Sequence, residues 1–385
     1  MNWTKHSLNL VTILLSVLLT FFMFELVYKG FFSEKKDSPW GKRYMLFKDT
    51  NGGTVFNNQD GFFVYGPNNI VESTTFYHID DEWVKEYDYI IPTNNLGLVQ
   101  TTPTITDKDS LLILGDSFTE GQGSFPWFEA FRDSFSSPEL QLINGGVFGT
   151  GFRQWEMLHD NLIDKGVAIS RLVVVFISDD AGRTTWMLPE HTLTCLKNYK
   201  DCKGPENFYH KPPQDELFIY LEKLKRFRDE YAATQLLKEK KKEKEKEKDM
   251  NEFQYFFKEY MPGTKYLTDF LINEVPSDKA IMTKDVKTNF NMNKNAIKSL
   301  ISRYNENIIF VHIPQKNEIK MNVISDMGTL TTDYIKSQGG YLFDGHKECG
   351  FIYDDYMPND GHPNHIGYDK ISSCISSAIF NKWGL

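Results

Sequence analysis

The sequence predicts an α/β protein with a five-stranded parallel sheet, and three observations predict it. Five short runs rich in apolar residues (111–114, 140–143, 171–177, 307–313 and 341–343) have the length of buried strands. Helical stretches at 127–135 and 154–165 separate the early runs, and another at 366–380 closes the chain. Strands separated by helices pair in parallel through right-handed crossovers. Finally, Gly115-Asp116-Ser117 turns sharply at the end of the first run. A serine there stands at the carboxyl edge of the sheet, where open α/β proteins place their chemistry.

The elements follow in chain order. Residues 8–27 carry no charge until Glu25, and the run is near the length that spans a bilayer. No alanine precedes Ala130, so the small-residue site of a cleaved signal peptide is missing and the segment reads as an uncleaved anchor, residues 1–30. Lys5 precedes it, whereas Lys29, Lys35, Lys36, Lys42 and Arg43 follow it, a bias that favours a cytoplasmic C-terminal domain. Residues 31–107 read as a linker and β-rich extension. Gly52-Gly53, Asn57-Asn58 and Gly66-Pro67-Asn68-Asn69 punctuate short runs such as Phe62-Phe63-Val64-Tyr65. Residues 108–385 hold the sheet, interrupted at about 186–303 by an insertion.

That insertion contains Cys195 and Cys202 around a short polar loop, and a tract at 238–249 that alternates Lys and Glu. The tract reads first as a solvated helix with no binding role, and second as a spacer or a coiled-coil partner helix. Phe253-Gln254-Tyr255-Phe256-Phe257 follows it, as core or as a lid. Cys349 and Cys374 flank the last candidate block. The layout fits two disulfides, Cys195–Cys202 and Cys349–Cys374, which would need an oxidising compartment. No C-x-x-C or Cys/His cluster suggests zinc. The net charge of −9 gives no reason to expect nucleic acid. Aromatic residues make up 15 % of the chain, first of all core and strand material, with a sugar-stacking surface as the alternative.

Asn359-Asp360-Gly361-His362-Pro363-Asn364 supplies what Ser117 lacks. A serine hydroxyl is a weak nucleophile and needs a base, and the base needs a carboxylate to fix its tautomer. Ser117, His362 and Asp360 are the candidates. His365 is a second possible base, and Asp354 or Asp355 a second possible acid.

These two blocks, with Gly367, resemble the SGNH (GDSL-like) hydrolase superfamily, of the bacterial membrane-anchored type. The resemblance implies a three-layer α/β/α sandwich and a Ser117-His362-Asp360 triad. Family members more often place the acid three residues before the histidine, where this chain has Asn359. The resemblance also implies an oxyanion hole. It would comprise the backbone N–H of Ser117, that of Gly149 in Asn144-Gly145-Gly146-Val147-Phe148-Gly149, and a side chain at Asp179. The family has an Asn donor at that last position, in G-x-N-D; here Ile177-Ser178-Asp179-Asp180 offers a carboxylate, which repels an oxyanion unless it is protonated or neutralised by Arg183. Thr93-Asn94-Asn95-Leu96-Gly97-Leu98 is similar to a stretch that precedes the serine strand in such proteins. The expected activity is an esterase or O-acyltransferase on acyl esters, acetyl groups of an envelope glycan foremost, with no metal or other cofactor. A catalytically impaired module that binds glycan or scaffolds an envelope assembly is the rival. Cysteines and resemblance together place the domain outside the membrane, periplasmic or extracellular, against the charge bias.

Overall fold

The structure is a computed structural model that describes residues 43–124, 127–135, 139–204, 208–248 and 284–385, with four positions between 16 and 23. Among the described residues no helix is long and apolar enough to cross a membrane. The expected anchor at 8–27 lies outside them except for those four positions, as does the aromatic run at 253–257. The chain divides into two units. One comprises residues 1–41 and 226–281, and the other, residues 42–225 and 282–385, carries the sheets and the site.

Strands β1 (Arg43–Asp49), β2 (Phe56–Asn58), β3 (Phe63–Tyr65), β4 (Ile70–Ile79) and β5 (Glu82–Pro92) come first. Then follow β6 (Ser110–Gly115), β7 (Gln141–Gly146), β8 (Ile169–Phe176), β9 (Phe208–His210), β10 (Ile308–His312) and β11 (Tyr341–Asp344). The five expected strands are β6, β7, β8, β10 and β11. They pair in the order β11-β10-β8-β6-β7, every pair parallel. Numbered by appearance within that sheet the order is 2-1-3-4-5, the flavodoxin-like doubly wound arrangement.

Both faces of this sheet are covered, which is why its strands read as unbroken apolar runs rather than alternating ones. Leu112, Leu114, Leu172, Val174, Phe176, Ile308 and Phe310 face one core with Phe152, Trp155 and Leu158 of the Phe152–Asp164 helix. Their neighbours Leu111, Ile113, Val173, Val175, Ile309 and Val311 face the other, with Phe128 and Phe131 and with Ile371, Ile375 and Ile379 of the His365–Trp383 helix. The last part of the expected 186–303 insertion belongs to the sandwich itself. The Lys284–Tyr304 helix buries Phe290, Ala296, Ile297 and Leu300 in the first core and is the crossover into β10. Its apolar face is legible, but the preceding Lys/Glu tract hides where the insertion ends.

The N-terminal extension is a second sheet, ordered β5-β4-β1-β9, with β9 contributed by the insertion. Its Met45, Phe47, Tyr87, Tyr89 and Ile91 join the first core of the sandwich. Tyr44, Leu46 and Phe76 face the other way, against Leu217, Tyr220, Leu221 and Leu224 at the start of the Leu217–Lys248 helix. That helix continues through the Lys/Glu tract; nothing in the described residues supports a coiled coil there. Both expected disulfides are present: Cys195–Cys202 beside this second core, and Cys349–Cys374 joining the loop after β11 to the last helix.

Candidate active site

Ser117 opens a four-residue helix, Ser117–Glu120, directly after β6. The Asp116 carboxylate caps it by accepting from the Phe118 N–H at 2.9 Å, and left-handed Gly121 ends it by donating to the Ser117 carbonyl. Two glycines let this turn sit tightly on the sheet. A Cβ on Gly115 would lie 1.9 Å from Thr119 Oγ1 and 2.6 Å from the Val175 carbonyl oxygen, and one on Gly146 would lie 2.2 Å from the Glu120 backbone nitrogen. Both contacts are far inside van der Waals distance, so the sequence needs glycine at each position.

His362 and Asp360 arrive on a tight return in which Met357 N–H donates to the His362 carbonyl and Tyr356 bridges to Pro363. Asn364 then caps the final helix, its side chain accepting from the Ile366 and Gly367 N–H groups. A Cβ at Gly367 would lie 2.3 Å from the Asp355 carbonyl oxygen. The Pro-Asn and the later glycine thus serve to start a helix that packs against the histidine loop.

The three side chains form one row. Ser117 Oγ lies 2.7 Å from His362 Nε2, and His362 Nδ1 lies 2.5 Å from Asp360 Oδ1. Ser117, His362 and Asp360 are 4 %, 6 % and 1 % exposed. Burial opposes the charge on Asp360. The His362 ring, Arg43 and the Tyr77 hydroxyl outweigh it and hold the carboxyl well below the usual range. His365, by contrast, is exposed on the last helix. Asp354 is exposed too, and Asp355 is occupied by the Ile352 N–H and Lys370. Asn359 is exposed and bound to Glu86.

The expected oxyanion positions fall less neatly. Gly149 has a φ of +69°, and its carbonyl accepts from Trp186 Nε1. Asp179 is exposed, and its Oδ2 accepts from Gln315 Nε2 at 2.8 Å. Arg183, which the sequence offers as one way to neutralise Asp179, feels that charge but forms ion pairs with Asp116 and Asp180. Arg183 Nη1 stands 3.0 Å from both Asp116 Oδ2 and Asp180 Oδ1, and donates to the Thr150 carbonyl. The buried acid of the Asp179-Asp180 pair is therefore Asp180, and burial pushes its carboxyl upward against the pull of Arg183.

Several site residues escaped the sequence reading. Tyr77 of β4 and Tyr87 of β5 donate to Asp360 Oδ2, at 3.0 and 3.1 Å, and Arg43 Nη1 stands 3.5 Å from the same oxygen. Glu120, 2 % exposed, accepts from the Tyr65 hydroxyl and the Phe148 N–H, and burial raises it to about 8. Gln122 Nε2 donates to the Tyr87 hydroxyl and lies 3.5 Å from His362 Nδ1. No spacing rule links β4 and β5 to a loop 273 to 283 residues later, so only folding reveals these contacts. A separate cavity of about 650 Å³, lined by Asp49, Glu190, Lys197 and His210 among others, includes none of the row.

Fold and site together define a doubly wound α/β protein with a buried Ser-His-Asp row at the carboxyl edge of its parallel sheet. No family model matches the chain, and no curated protein does. Among solved structures it is similar to G-D-S-L-family and related hydrolases. One is an alpha/beta hydrolase enzyme from the metagenome of Lake Arreo, at 11 % identity and TM-score 0.34, covering 71 % of this chain and 96 % of that one. A catalytic mutant of an acetylxylan esterase from Geobacillus stearothermophilus gives 10 % and 0.34, over 72 % and 96 %. A putative lipolytic protein of the G-D-S-L family from Desulfitobacterium hafniense gives 11 % and 0.33, over 70 % and 98 %.

Proposed function

We propose that this chain is an SGNH-type serine esterase or O-acyltransferase that acts on acyl esters, acetyl esters of an envelope glycan foremost. The observation that carries the proposal is the continuous row from Ser117 Oγ through His362 to Asp360, at 2.7 and 2.5 Å. In this reading His362 Nε2 accepts the Ser117 proton as Oγ attacks the ester carbonyl. Asp360 holds the other ring nitrogen protonated and balances the imidazolium. The oxyanion is met by the N–H groups of Ser117 and Gly149, while Asp179 at the third position supplies no donor as a carboxylate. His362 then returns the proton to the departing alcohol. Water or a sugar hydroxyl, activated by the same ring, releases the acyl group from Ser117. The glycan and the envelope rest on the sequence resemblance.

One observation favours the second reading, an impaired module that binds glycan or scaffolds an envelope assembly: Asp179 stands where the resemblance leads one to expect an Asn donor. A fluorophosphonate probe separates the two. The esterase reading expects covalent labelling of the wild-type protein at Ser117 and none in Ser117→Ala, together with turnover of an acetyl ester. A wild-type protein that neither labels nor turns over overturns it. Asp179→Asn replaces an acceptor with a side chain that can donate, so turnover is expected to rise. The rise should fall short of the roughly 10²–10³ that an enclosed donor is worth, because residue 179 is exposed.

A further inference from the structure

The Asp360 carboxylate has two oxygens with separate duties. Oδ1 faces His362, accepting from the ring at 2.5 Å and from the His362 backbone N–H at 3.2 Å. Oδ2 faces the N-terminal sheet, where Tyr77, Tyr87 and Arg43 converge on it. Arg43 and Tyr77 are register partners across β1 and β4, and Tyr87 pairs with Thr75 on the adjoining β4–β5 ladder. One patch of antiparallel sheet therefore presents two hydroxyls and a guanidinium to a single oxygen. Glu86 of the same β5 strand holds the loop from the other side, accepting from the Asn359 and Asp360 N–H groups and from Asn359 Nδ2.

We infer that the N-terminal sheet is part of the catalytic apparatus, with Arg43, Tyr77 and Tyr87 as positioning residues that fix the Asp360 carboxylate toward His362. This rests on the triad reading above. A carboxylate buried this deeply needs donors and a counter-charge to stay ionised, and its own loop supplies only the His362 N–H and ring. Rotation of the carboxyl about its Cβ–Cγ bond would carry Oδ1 away from the ring, and the donors on Oδ2 oppose it. Gln122 ties the Tyr87 hydroxyl back to the turn that carries Ser117, so acid, base and nucleophile turn share one support.

The experiment uses the full chain and a fluorophosphonate probe. It compares wild type, Ser117→Ala, Tyr77→Phe, Tyr87→Phe, the double Tyr→Phe variant and Arg43→Lys, with unfolding midpoints in parallel. The double variant is expected to label at Ser117 between about tenfold and 10²-fold more slowly, short of the roughly 10⁴ that misplacing the acid entirely costs. The acid limb of its pH–rate profile should move to higher pH. An Asp360 with fewer donors has more charge left to hold the imidazolium, and a purely structural role would not move that limb. The single variants each lose one hydroxyl and decide the matter if the double variant does not fold. Wild-type rate and profile in folded Tyr77→Phe and Tyr87→Phe, with Ser117 still labelled, would overturn the positioning role and leave the triad standing. No labelling of the wild type would overturn both.

Discussion

In the proposed mechanism Ser117 and His362 share one proton, so neither would work without the other. Ser117→Ala or His362→Ala alone is expected to remove nearly all ester turnover, with little further loss in the double variant, because members of such a unit are strongly non-additive. Independent losses that multiply would mean the two side chains act separately. Glu120 is a different kind of residue. Burial raises it to about 8 despite the Tyr65 hydroxyl and the Phe148 N–H, and Asp116 adds to the rise. Its proton is kept in the fold but lost near 4.5 in the unfolded chain. The stability it contributes is therefore full below about 4.5 and is lost as pH rises through about 8. Asp180 shifts in the same direction, so Glu120→Gln removes a part of the dependence. Unfolding midpoints from pH 5 to 9 should fall less steeply in Glu120→Gln than in wild type. Equal slopes would mean that Glu120 is ionised in the fold.

At the scale of elements, the site depends on how closely the nucleophile turn approaches two strands. Gly146 ends β7 against the backbone of Glu120, where there is no room for a methyl group and no flexible side chain to yield. Gly146→Ala is expected to cost about 1–3 kcal/mol of stability, as overpacking does, and to lower turnover by displacing the Ser117 turn. A variant with wild-type turnover and midpoint would show that the turn does not bear on β7 so closely. The second sheet makes the complementary contribution. Tyr89 of β5 reaches Glu120, as Tyr65 does from the separate β2–β3 ribbon, and Tyr77 and Tyr87 reach Asp360. Residues 43–92 are thereby an integral layer of the domain rather than a tether to it.

For the whole molecule, the two disulfides bear on where the protein resides, since such bonds persist in oxidising compartments. We propose that the domain lies outside the membrane, held by an uncleaved anchor at residues 8–27. Non-reducing peptide mapping of the natively located protein should recover Cys195–Cys202 and Cys349–Cys374, and proteolysis of intact spheroplasts should digest the domain. Four free thiols together with protease protection would place it in the cytoplasm, as the lysines after residue 27 suggest on their own.

The sequence by itself determined the parallel sheet, the serine at its carboxyl edge, the histidine loop that answers it and the cysteine pairs. Each of these is local: an apolar run of strand length, a glycine where a turn closes on a strand, a capping asparagine after the histidine. Tertiary structure alone decided what surrounds them. Whether Asp179 or Asp180 turns inward depends on how the short 3-10 helix Ser178–Gly182 is set after β8, which no periodicity specifies. The Lys284–Tyr304 crossover was concealed by a charged tract that needs no core and so marks no boundary. Arg43 reads as one of the basic residues after the apolar segment, and Tyr77 and Tyr87 carry no mark of their role, because neither a guanidinium nor a hydroxyl has a sequence signal for a partner more than 270 positions away. They meet Asp360 only because the second sheet packs its tyrosine face onto the sandwich, and packing of that kind is set by the shape of two assembled surfaces.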